Sequence, residues 1–391
     1  MYRNWRQLGA ILLLLAMIAS FAACGGNTTE DQKNADSPNT SNQQSPQPTD
    51  ETKPPEETDP LVEAEQEPEV IKVTLKDTAK SAMETMEVWD GSVAESFDGG
   101  DGSSTNPYQI ANGAQLAKLA EDVNSGIDFE GKYFVLTSDI VLNRFEDWDF
   151  ENIYQNMEFT ENANEWIPIG VYNSFMGDFN GDNYTIYGMQ CTAKYNVVSM
   201  GAFSGAGLFG HIRSAHASNV NLVCSKLLCI ANHYGGIVGV NDWSNVENCH
   251  SEQIVILPLT TCDTAGGVVG NGSEDKCYNC SASGLIITAI SNYIGGDSSY
   301  SGYFGGVAGE TSEIYNCYSD VDIIVDYDLS FPKSGEGKMK TTIGVGGVIG
   351  GVWHQAGNCF NAGNIAFIGP HSEWEAPHDS RYNNIVESLE K

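Results

Sequence analysis

Four stretches of this chain share one frame. Residues 235–249 read GGIVGVNDWSNVENC, 266–280 GGVVGNGSEDKCYNC, 305–317 GGVAGETSEIYNC and 346–359 GGVIGGVWHQAGNC. A shorter copy, AGLFG, closes at Gly210, and successive closing glycines stand 29 to 41 residues apart. A period between about 20 and 50 residues marks repeated units that bury their apolar faces only by stacking on one another. Helical spacing is missing from these units. They hold short β-type runs instead, such as GGIVGV, QIVILPL, GLIITAI and VDIIVDY. The leucine frame of a leucine-rich repeat is lacking, and the units are too short and uneven for four-stranded propeller blades. The expected fold class is all-β: a parallel β-helix or β-solenoid of about seven coils, one coil per unit and ~4.8 Å apart. Length variation falls in loops near residues 297 and 334.

Stacked coils put equivalent side chains in columns. Glycine at a corner permits positive φ and close coil-on-coil approach. Ile237, Val268, Val307 and Val348 are expected to form an inward apolar ladder. Asn248, Asn279, Asn316 and Asn358 sit at matching offsets, where stacked amides can hydrogen-bond from coil to coil. Cys249, Cys280, Cys317 and Cys359 share the next position and read as a buried, reduced ladder, because free cysteine packs as a small hydrophobe. A spacing of ~4.8 Å lies within disulfide range, but parallel Cβ vectors argue against bonding. The lone C-x-x-C at Cys277 and Cys280 lacks both the second ligand pair of a zinc site and the βαβ context of a redox motif.

The Gly-Gly-apolar-x-Gly frame followed by Asn-Cys resembles the GLUG repeat over residues 203–367. That repeat occurs in exported bacterial surface proteins and in the non-catalytic part of some IgA-cleaving metallopeptidases. The resemblance implies a β-helix-like domain on a cell surface. Upstream, NPYQIANGAQLAKLA and FNGDNYTIYGM resemble what commonly precedes such repeats. Asn112 is the expected N-cap of a helix over residues 113–123, with Leu116, Leu119 and Val123 at helical spacing and Ser125-Gly126 ending it.

The N-terminus carries Arg3 and Arg6 ahead of an apolar run over residues 8–23, the pattern of a secretory signal. It ends in FAACGG, which resembles the bacterial lipobox. The resemblance implies cleavage before Cys24 and lipid attachment at its sulfur, with the membrane as partner. The expected organisation is a signal peptide over 1–23 and a disordered acidic tether over 24–85. A small α/β cap with one helix follows over 86–160, then the solenoid over 161–368 and a C-terminal tail or cap over 369–391. Residues 70–88, across the end of the tether, are ambiguous: VIKVTL reads as a strand and KDTAKSAMETME as a helix.

A formal net charge of -33 makes nucleic acid and anionic headgroups unfavourable partners. The seven histidines form no His-Glu-x-x-His pair, and neither a phosphate loop nor a Gly-x-Ser-x-Gly elbow is present. No motif calls for a metal or cofactor. Asp178 with Asp182, or Asp242 with Asp263, could form the carboxylate pair of a polysaccharide-acting enzyme, the alternative to a binding function; a passive spacer is a further alternative. The leading expectation is adhesion or ligand binding without catalysis. Trp243, Trp353, Tyr234 and Tyr303 are the candidate contacts for a glycan or a host or matrix protein. Nothing fixes an oligomeric state. Cys24→Ser is expected to abolish incorporation of a labelled fatty acid into the expressed chain; unchanged labelling would remove the lipid anchor.

Overall fold

A computed structural model of the chain describes residues 72–73, 76–144, 148–149, 163–192, 204–258, 262–289, 299–326 and 340–368. Cys24, the leader, most of the tether and the tail over 369–391 lie outside the described residues. Among those described, the fold is a parallel β-solenoid with two helices. Its strands fill sheets of eleven, ten and five, and every pairing within these three sheets is parallel.

One coil can be followed from His233. His233–Gly235 lies in the five-stranded sheet, and Gly236 and Ile237 turn the chain back. Val238–Asp242 and Asn245–Glu247 run in the eleven-stranded sheet. Asn248 turns the next corner, and His250–Ile256 runs in the ten-stranded sheet. The following coil repeats each step in register: Val238 pairs with Val269, Val246 with Cys277 and His250 with Ser281.

The repeated glycines mark where backbone meets backbone. A Cβ on Gly235 would lie 2.0 Å from the Val238 carbonyl oxygen, and one on Gly239 would lie 2.6 Å from the Ala206 nitrogen. No side chain fits either position, so the two arms of the arch close on each other. Between those glycines, Leu208, Ile237, Val268, Val307 and Val348 are buried, as the apolar ladder requires.

The corner asparagines form the expected ladder, and it is longer than the Asn-Cys motif. Asn219, Asn248, Asn279, Asn316 and Asn358 all have φ between 52° and 54° or at 55°, in the left-handed region. Asparagine tolerates this region better than most residues. Each Nδ2 donates to the Oδ1 one coil upstream, from Asn358 through Asn316, Asn279, Asn248 and Asn219 to Asn180, at 2.9 to 3.2 Å. Asn180 and Asn219 escape the motif because neither precedes a cysteine.

The residues after the corner asparagines point inward. Val220, Cys249, Cys280 and Cys317 are buried, and Cys359 is half-buried in the last described coil. Valine holds the earliest position, so the site asks for a small apolar side chain rather than for sulfur chemistry. Each thiol of this ladder donates to the carbonyl two residues before it, at 3.1 to 3.4 Å. Burial pushes the Cys280 thiol up. Cys277 occupies the column of Val246 and Ile314, a second small apolar slot.

Two of the expected boundaries move. The tether does not run to residue 85: helix α1, Asp77–Thr85, buries Ala79 and Met83 against Val141 and Cys224. Nor does the solenoid start at 161. Tyr108–Ile110 pairs in parallel with Tyr133–Leu136, which itself pairs in parallel with the coil strand Asp178–Asn180. The cap is thus the first part of the stack, because its strands offer the same ladder of backbone groups. Helix α2, Gly113–Asn124, forms where expected, with Asn112 Oδ1 accepting from the Gln115 N–H at 3.0 Å. Rings fill the core at this end: Phe134 lies 5.0 Å from Phe129 and 5.8 Å from Phe175, which lies 5.4 Å from Phe209.

Asn279→Ala should lower stability by about 2 kcal/mol, from left-handed strain plus the lost amide bonds. Asn279→Gly, free of the strain, should recover about half of that. Denaturant unfolding measures both, and equal losses would mean that the backbone conformation contributes nothing.

Candidate ligand-binding face

The eleven-stranded sheet presents a narrow outer strip between two corners. Its first outward column runs Asp178, His216, Asn245, Lys276, Glu313, Gln355; its second runs Asn180, Ser218, Glu247, Tyr278, Tyr315, Gly357. Residues between the columns, among them Ala217, Val246, Cys277 and Ile314, are buried. Period-2 alternation therefore decides which residues face solvent.

The strip is cross-linked along the stack. His216 Nδ1 lies 3.6 Å from Asp178 Oδ1, and its Nε2 lies 3.8 Å from Glu247 Oε2. Lys276 Nζ lies 3.9 Å from Glu313 Oε2. These half-exposed pairs add little stability. Tyr278 donates its hydroxyl to Glu313 Oε2 at 2.6 Å, and Tyr315 donates to Gln355 Oε1. The two rings lie 5.6 Å apart, edge to face. Partial burial and the Glu313 carboxylate push the Tyr278 phenol up to about 12, so it remains a donor. A cleft of about 260 Å³, bordered by Tyr133, Asp178 and His216, lies at the upstream end.

Trp243 and Trp353 edge this strip. Both fall in the corner between the column of Asn241, Thr311 and Val352 and the column of Asn245, Lys276, Glu313 and Gln355. Trp243 is 66% exposed and Trp353 68%. They belong to coils three steps apart, about 14 Å along the stack. Trp243 has φ 54°, a conformation shared with Ser214 and Glu274 at the same corner. The Trp353 indole lies by the Glu310 carboxyl, which accepts from Asn271 Nδ2 at 2.8 Å.

The other two aromatic candidates are placed differently. Tyr234 is fully buried, its hydroxyl donating to the Cys229 carbonyl at 2.6 Å and accepting from the Ala231 N–H at 2.8 Å. It cannot meet a ligand at the surface. It alternates inward in its strand, in a column with Ala206, Ala265 and Phe304. Tyr303 lies two coils further on, in the column of His233 and so on the opposite face of the sheet, and its half-buried ring lies over Gly344 and Gly351 of the next coil. Tyr278 and Tyr315, by contrast, join the exposed strip. Their signal in the sequence is the -Tyr-Asn-Cys- of two repeats, in which the ring directly precedes the ladder asparagine.

The carboxylate pairs fall on separate elements. Asp242 ends a strand beside Arg213, 4.0 Å away, whereas Asp263 precedes the five-stranded sheet and accepts from Asn232. Asp178 lies in the strip, and Asp182 in the turn after it. Among the described residues, no group of three or more histidines, cysteines or acids is arranged to hold a metal ion. Asp275 is the acid most enclosed by donors: buried, it accepts from Asn241 Nδ2, Thr311 Oγ1 and the Ser312 N–H at 2.6 to 2.9 Å. Burial raises its pKa against the pull of those donors. It holds the corner beneath the strip.

No family model and no curated protein matches this chain. Among solved structures it is similar to the crystal structure of a Bacteroides ovatus protein provisionally described as an immunoglobulin A1 protease. That match has a TM-score of 0.43 and 18% identity, covering 72% of this chain and 84% of the other. Likeness at that level carries no inference about activity.

Glu310 generates a pH prediction. Burial pushes its carboxyl from an ordinary 4.5 up to about 7, so folding favours its protonated form. The stability it contributes is complete below about 4.5 and is lost as the pH rises through 7. Unfolding midpoints should fall across that window, and Glu310→Gln should flatten the fall. The Trp353 contribution to fluorescence, taken against Trp353→Phe, should titrate with the same midpoint. A wild-type-like profile in Glu310→Gln would assign the effect to another group.

Proposed function

We propose that this protein is a non-catalytic binding module displayed on a bacterial surface through a lipid at Cys24. Its outer strip would hold a glycan or a protein of the host or matrix. One observation carries the reading: two largely exposed tryptophans share the corner beside a strip of tyrosine rings, amides and carboxylates. Exposed rings cost hydrophobic free energy unless a partner covers them, and rings with polar neighbours suit sugar and peptide contacts. Tyr278 and Tyr315 are tied by their hydroxyls, so little side-chain entropy remains to be lost on binding. The leader and the lipobox-like FAACGG support export and anchoring, and the acidic composition supports solubility outside the membrane.

The purified chain, immobilised and challenged with glycan and matrix-protein arrays, is expected to capture a defined subset. Replacing Trp243 and Trp353 together by alanine should weaken that capture by about tenfold or more, as loss of aromatic anchors does. Tyr278→Ala with Tyr315→Ala should act in the same direction. Capture unchanged in both double variants would place the binding surface elsewhere.

A further inference from the structure

The two axial ends of the stack differ. At the upstream edge of the eleven-stranded sheet, helix α2 joins the strands Tyr108–Ile110 and Tyr133–Leu136. It lays Leu116, Leu119, Ala120 and Val123 into the common core, each no more than 4% exposed. Their spacing of three, one and three is the apolar stripe of a helix. The core at that end finishes in a helix.

The downstream end has no such cover among the described residues. The strands Lys340–Gly346, Ile349–Gly357 and Ile365–Ile368 pair only with the coil before them. The inward columns surface there. Leu227, Ile256, Ile286 and Ile323 form one fully buried column, yet its next member, Ile365, is 39% exposed. Ala356 is exposed where Val246, Cys277 and Ile314 before it are buried. Val345 is half-buried in the column of the fully buried Tyr234, Ala265 and Phe304. Core positions of all three sheets thus meet water at one end, ringed by open strand edges that invite pairing with another chain.

Residues 369–391 follow Ile368 directly and lack the Gly-Gly frame of a further coil. They carry Tyr382, Ile385, Val386 and Leu389, again three, one and three apart. The stripe of α2 is thus repeated just past the opposite end of the stack. Asn384, Glu387 and Lys391 fall on the other side of such a helix. A helix this short is marginal in water alone and needs a surface. Attachment at Ile368 offers it this surface at an effective concentration on the order of millimolar. A second copy would meet the same face only at its own concentration, against the repulsion of two chains of formal net charge -33.

We propose that residues 381–391 dock as a helix on the downstream end, with Tyr382, Ile385, Val386 and Leu389 against Val345, Ala356 and Ile365. The tail then closes the core as α2 does upstream, and it blocks the end against strand addition. The assignment is independent of the binding function, because the outer strip stays free.

Cys359, half-buried in the last described coil, reports on the cover in the full chain. Its alkylation by iodoacetamide, followed by peptide mass spectrometry, should be slow. Ile385→Asp should speed it about tenfold or more, as release of a local cover does. Glu387→Ala, on the opposite side of the helix, should leave the rate unchanged. Hydrogen exchange over 349–357 should rise in Ile385→Asp, while exchange over 238–256 stays as it was and shows that the earlier coils are folded. If those coils are disturbed, Leu389→Ser, a milder change, decides by the same measurements. Alkylation equally fast with and without the substitution overturns the proposal. So does protection of Cys359 that depends on protein concentration, which would assign the face to a second copy.

Discussion

Parallel stacking at strand spacing governs this molecule. The backbone N–H and C=O groups of the coil strands pair with the coils above and below, so the chain must return in register every turn. A side chain in such a stack meets the equivalent side chains of its neighbours ~4.8 Å away. Residues that tolerate copies of themselves at that distance can fill a column, and others must be placed outward or in loops. The asparagine ladder satisfies this rule at a corner, since an amide both donates and accepts along the axis.

The arches show the same constraint from the backbone side. Where two arms of one coil fold back on each other, backbone atoms occupy the space in which a Cβ would sit, and glycine is required. The stack pays for that freedom in chain entropy and recovers it from the apolar columns of Ile237, Val268, Val307 and their neighbours. The thiols belong to this apolar economy. Their column begins with Val220, and burial raises the Cys280 thiol, which disfavours its nucleophilic thiolate.

Periodicity along the chain also explains how a continuous polar and aromatic strip can arise from short strands. Alternation turns every second residue of a three-residue strand outward, and coil-to-coil register assembles those residues into a strip. Side chains far apart in sequence, such as Tyr278 and Glu313, become hydrogen-bonded neighbours. The corner beside the strip absorbs differences in coil length: Trp353 and His354 face the single Ser312, with a register shift there. Large rings can project at that corner because no neighbouring coil occupies the space outside it.

The sequence by itself determined the architecture class, the inward valines and cysteines and the asparagine ladder over four coils. All of these repeat at one offset, and a repeated offset in a stack is a position in space. It also marked Trp243 and Trp353, whose exposure follows from their place at a corner. Only the tertiary structure decided the fate of Tyr234 and Tyr303, one buried and one lying over glycines, because strand phase depends on the pairing register rather than on distance from a motif. It alone extended the asparagine ladder to Asn180 and Asn219 and joined the cap strands to the stack. It alone joined helix α2 to the turn at Tyr172, which share no repeat and meet through the Asn124 side chain.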